Sequence, residues 1–193
     1  MRSTRGLVAA LILLLTVPVA ITIAVLTGGG GEPVIHFGIG VGMVLLALAA
    51  FDFGLPRPVA WFGAATCGAF GGIFLLQGVA DALGNESLYN VAFFVLGQMP
   101  ERILPELILG WFVALLVLGS EGRTRILGAI LLAVTVGAEV VTLVGPVVGI
   151  DVPDIKLRWL LPFVWLLFES AKAAPRLTSR PVTGASFADS PAT

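Results

Sequence analysis

The chain has 193 residues, of which 58% are hydrophobic and 12% charged, with a mean hydropathy of +1.03 and a formal net charge of -1. A soluble domain carries about 25% charged residues, so this composition describes a polytopic membrane protein and excludes a basic nucleic-acid binder. A single cysteine, Cys67, excludes an intrachain disulfide, a thiolate cluster and a Cys-X-X-Cys redox pair, and a single histidine, His36, excludes any site that needs two.

Arg2 and Arg5 precede an uncharged apolar run from Leu7 to Leu26. A run of about twenty residues spans a bilayer and exceeds the ~7–15 of a signal-peptide core, so residues 7–27 are read as a signal anchor. No good Ala-X-Ala cleavage site precedes the glycines Gly28 to Gly31, and Pro18 is a kink of the kind membrane spans tolerate. A second span covers residues 34–53, with Gly38 and Gly42 four apart and Gly40 between them. The third covers 59–83, with Gly68 and Gly72 in the same relation and Gln77 and Asp81 sharing a face. Such small-residue pairs let helix backbones approach closely.

Residues 88–99 are apolar but too few to cross a ~30 Å core as a helix, and they are read as a re-entrant or interfacial segment. Next comes Gly97-Gln98-Met99-Pro100-Glu101-Arg102-Ile103-Leu104-Pro105-Glu106, two Pro-Glu pairs and an arginine amid apolar sequence. Proline followed by an acid suits a helix start, so the fourth span is placed at 100–119. A short basic loop with Arg123 and Arg125 leads to the fifth span, 126–148, whose one charge is Glu139, flanked on its face by Thr135 and Thr142. The sixth, 157–170, is short, with Arg158 and Glu169 near its ends, and 173–193 is read as a disordered cytoplasmic tail after a single membrane domain, 1–172.

The fold expected is therefore all-α: six transmembrane helices plus a short segment before the fourth. With the amino terminus inside, the inner segments hold Arg2, Arg5, Arg57, Arg123, Arg125, Lys172, Arg176 and Arg180, and the outer ones hold Arg102, Lys156 and Arg158. That asymmetry places both termini in the cytoplasm, at a plasma (inner) membrane. Six spans divide into two groups of three with opposite starting directions, the parity of a 3+3 inverted repeat. The stretches Asp52 to Trp61 and Asp151 to Trp159, each running acid, proline, base, tryptophan, echo one another.

On this topology Glu139, Glu106, Arg102, Gln98, His36, Arg158 and Gln77 all fall in the outer half of the bilayer, where one outward-open polar cavity would serve them all. Glu139 is the sharpest candidate for a proton carrier or cation ligand; its structural alternative is a pairing with Arg102 or Arg158. His36, at the outer end of its helix, is of the side-chain class that changes charge near neutral pH, although an ordinary interfacial histidine fits as well. Gln77 and Asp81 are expected to be solvated, as are Asp52, Glu121 and Glu169 at the inner ends. Trp61, Trp111, Trp159, Trp165 and Tyr89 read as interface anchors or packing.

No Walker loop, zinc spacing or Gly-X-Ser-X-Gly elbow is present, and no catalytic set, metal or cofactor is expected. Three functions suit the pattern. The first is a transporter or channel-like protein for a small solute or ion, with Glu139 as coupling carboxylate. The second is a non-catalytic membrane subunit or assembly factor, forming homo- or hetero-oligomers through glycine-rich faces. The third, an intramembrane enzyme acting on lipid, has only Glu139, Glu106, His36 and Arg102 to offer as an acid-base set.

Overall fold

A computed structural model describes residues 3–97, 103–145, 149 and 160–171. These residues form α1 (Thr4–Thr27), α2 (Gly31–Ala49), α3 (Arg57–Leu83), α4 (Glu86–Gly97), α5 (Ile103–Gly119), α6 (Arg123–Val144) and α7 (Leu160–Ala171), with no strand among them. Four helices, α1, α2, α3 and α6, are long and apolar enough to cross a membrane by length and composition. The all-helical, membrane-like character read from composition is thus present. The junction from Gln98 to Arg102, residues 150–159 and the segment 173–193 lie outside the described residues.

Local chemistry sets the helix ends. Ser3 caps α1, its Oγ accepting from the Gly6 N–H at 2.9 Å. Gly28, Gly29 and Gly30 all have positive φ (71°, 158° and 79°), a reversal that residues with a Cβ would resist. The next helix starts at Gly31, three residues earlier than hydropathy suggests. Glu32 and Pro33 belong to its first turn, where proline forfeits no hydrogen bond and a carboxylate answers the positive dipole end. It also stops at Ala49, four residues short of Phe53. The chain turns through residues 51–54, and Phe53, 4% exposed, folds inward. At the far end of α3 one residue serves two helices: the Asn85 N–H closes α3 on the Ala80 carbonyl at 2.9 Å, and its side chain accepts from the Leu88 N–H at 3.0 Å to open α4.

Close backbone approach organises the core, a trio in which α2 packs against both α1 and α3. A Cβ on Gly38 would lie 2.1 Å from Thr16 Oγ1, and one on Gly42 would lie 2.6 Å from Leu13 Cγ, so both glycines face α1. Gly40 and Gly71 play the same part between α2 and α3, against Leu75 and Val44. The small-residue stripes of the sequence therefore admit helices of their own chain, while Gly72 and Gly137 face open space. Around the trio, α5 sets Phe112 against Gly63 of α3. Helix α7 bridges α1 and α6, and its Trp165, 1% exposed, lies over Gly128 and donates from Nε1 to the Thr124 carbonyl at 2.7 Å.

Candidate functional site

Polar side chains gather at the two ends of this bundle. At the end where α1 turns into α2, His36 Nδ1 is hydrogen-bonded to Asp81 Oδ2, an ion pair when the imidazole is protonated. Both are largely buried, with side chains 18% and 12% exposed. Their meeting follows from the glycine-set register of α2 on α3: with Gly40 against Leu75, one turn further along α2 brings His36 opposite the last turn of α3. The imidazole is walled by Phe74 of α3 and Tyr89 of α4, whose ring centroids lie 6.0 and 6.4 Å away.

Asp81 is also part of the wall of an open groove of about 950 Å³ between the α1–α2 turn and the α3–α4 turn. Glu32, Glu86 and Tyr89 line it too, and neither lysine nor arginine is among its lining residues. One turn deeper than Asp81, Gln77 is 4% exposed, and its Oε1 has no hydrogen-bond partner. Solvation, the sequence expectation for Gln77 and Asp81, is corrected for Gln77, which is buried; Asp81 is mostly covered and paired with His36 but still lines the groove. No group of three or more histidine, cysteine or acidic side chains suited to a metal occurs among the described residues.

The opposite end is built differently. Ser3 Oγ donates to Asp52 Oδ2 at 3.0 Å and Arg5 stands 3.7 Å from Asp52 Oδ1, so the start of α1 is tied to the α2–α3 turn. Ser170 of α7 crowds the same point, 3.0 Å from where a Cβ on Gly6 would stand. Its neighbour Glu169, expected to be solvated, is 4% exposed, within the packing of α7 between α1 and α6.

Of the residues singled out in sequence, the structure places His36 and Gln77 at one end, with Asp81 level with His36 and Gln77 one turn deeper. Glu139 is half-buried on α6, about 24 Å along from Arg123, and lines no part of the groove. Gln98, Arg102 and Arg158 lie outside the described residues, and of Glu106 only the backbone, within α5, is described. Sequence reasoning missed the partnership of Asp81 with the lone histidine. The signal lay in the glycine stripes of the second and third spans, whose apposition sets the register. No family model, curated protein or solved structure matches the chain.

Proposed function

We propose that the chain is a small transporter or channel-like protein of the plasma membrane, passing a small solute or ion through an outward-facing polar cavity. The observation that carries this reading is the mostly buried His36–Asp81 pair, whose Asp81 stands at the wall of an open groove. Replacing a buried ion pair by apolar side chains is often neutral or stabilising, so such a pair in an apolar bundle is poorly explained by stability alone. The groove is not the cavity expected around Glu139, which does not line it; the proposal centres the path on α2 and α3 instead. Six spans, a 3+3 inverted repeat and cytoplasmic termini belong to the same proposal, and they put the groove on the outer face.

Reconstitution of the full chain in proteoliposomes tests it. Wild type should pass protons or a small ion down an imposed gradient, and Asp81→Asn, which keeps size but not charge, should lose that flux. Wild-type vesicles no leakier than empty ones would refute the reading. Glu139→Gln separately tests a coupling role for Glu139, which unchanged pH-dependent flux would remove. The second reading, a non-catalytic subunit, draws on the outer face of α6, where exposed Ile126, Ile130, Val134 and Val141 flank the open Gly137. A stable heteromeric complex recovered with a silent flux assay would favour it.

A further inference from the structure

We propose, resting on the transport reading above, that the ion this site takes up is the proton, entering by the groove and binding at the His36 imidazole. The groove leads inward along a polar column. Glu32, exposed at its rim, is four residues before His36 on the same face of α2, about 6 Å shallower. Asp81 lies level with the imidazole, one carboxylate oxygen holding Nδ1 while the residue still lines the groove. Gln77 lies one turn deeper on α3 and offers a buried acceptor with no partner. Beyond it α2 and α3 meet closely through Gly40 against Leu75 and Gly71 against Val44. The column is open at one end and closed by apolar packing at the other, the shape of a site loaded from one side.

The chemistry fits a proton better than a larger cation. Nδ1 and Oδ2 are in direct contact, which leaves no room for an ion between them, and no three-ligand metal set exists among the described residues. With Nδ1–H donating to the carboxylate, the neutral ring carries its free lone pair on Nε2. The imidazole stands behind Asp81 rather than in the groove wall and is 18% exposed. A hydronium ion that reaches it gives a proton to that lone pair: one N–H bond forms, one O–H bond breaks, water is released, and the pair goes from a net charge of -1 to zero. Among the described residues, Asp81 from α3 and Tyr89 from α4 stand at the ring, and Glu86 from α4 and Glu32 from its own helix line the groove beside it, while α1 lends the groove only Ala20, Ile21 and Ala24. Among the described residues that line the groove the ionic ones are acidic, which favours cations at its mouth.

Because the chain has one histidine, 15N-histidine labelling of the full protein in lipid vesicles reports a single imidazole. Acidifying the medium should move Nε2 from the unprotonated to the protonated resonance, while Nδ1 keeps its hydrogen-bonded shift. The signature of Nδ1 should be lost in Asp81→Asn. On a solid-supported membrane, a pH jump should give a transient charge displacement that His36→Gln loses and that Asp52→Asn, at the opposite end, retains. An Nε2 resonance indifferent to pH, or a full transient in folded His36→Gln, would overturn the proposal. A transient without steady flux keeps the proton site and removes the transport reading; flux with a silent imidazole does the reverse.

Discussion

The two ends of the bundle use the same kinds of side chain for different ends. At the Ser3 end, a serine, an arginine and an aspartate bind two stretches of chain to each other, and Gly6 and Ser170 pack beside them. At the His36 end, an aspartate and a histidine are bonded only to fix each other, and the groove leaves Asp81 within reach of water. Both ends bury acids in an apolar protein. What separates a fastening from a candidate site is the cavity: Asp52, 32% exposed, is bonded to Ser3 and Arg5 at the surface, whereas Asp81, 12% exposed, lines a groove whose ionic side chains among the described residues are acidic.

The largest effect that would break this contrast is expected from Gly38→Leu, in the close-packed seam below His36. Its Cβ alone would fall 2.1 Å from Thr16 Oγ1, and α1 must shift to admit the rest. Overpacking of this kind costs about 1–3 kcal/mol and more when backbones are forced apart. A marked fall in melting temperature together with loss of flux is expected. A variant that melted and transported like wild type would show that the groove does not depend on the α1–α2 seam. Ser3→Ala probes the other end. It removes both the α1 cap and a hydrogen bond to Asp52, a loss of about 1–2 kcal/mol, and should leave the imidazole titration of His36 untouched. A changed titration would mean that the two ends are coupled through α1.

How far sequence reached can be judged at individual residues. The apolar runs and the glycine reversal announced the helices, because the bilayer demands long segments whose backbone is satisfied internally. The end of α2 at Ala49 was not announced, since Phe51 and Phe53 are as apolar as the helix before them and only tertiary packing bends the chain there. His36 and Gln77 were legible as polar residues in apolar helices. Their arrangement was not, because a pair between α2 and α3 depends on register, which hydropathy does not carry. Glu139 drew attention by depth along its own helix, a property that says nothing about which helices surround it. The burial of Glu169 was hidden for the same reason.

The smallest expected effect belongs to Arg5, and it sharpens the contrast most finely. Its side chain is 59% exposed and 3.7 Å from an Asp52 that is itself 32% exposed, so water screens the pair and the interaction contributes less than about 1 kcal/mol. Arg5→Gln should therefore leave the melting temperature almost unchanged, and raising salt should alter wild type as little as the substitution does. If the fastening at this end is carried by the Ser3 hydrogen bonds and the Gly6–Ser170 packing, the double variant Ser3→Ala/Arg5→Gln will melt where Ser3→Ala alone does. A clear further drop would show that Arg5 holds the turn once Ser3 is gone, and the Ser3 end would then rest on charge as the His36 end does.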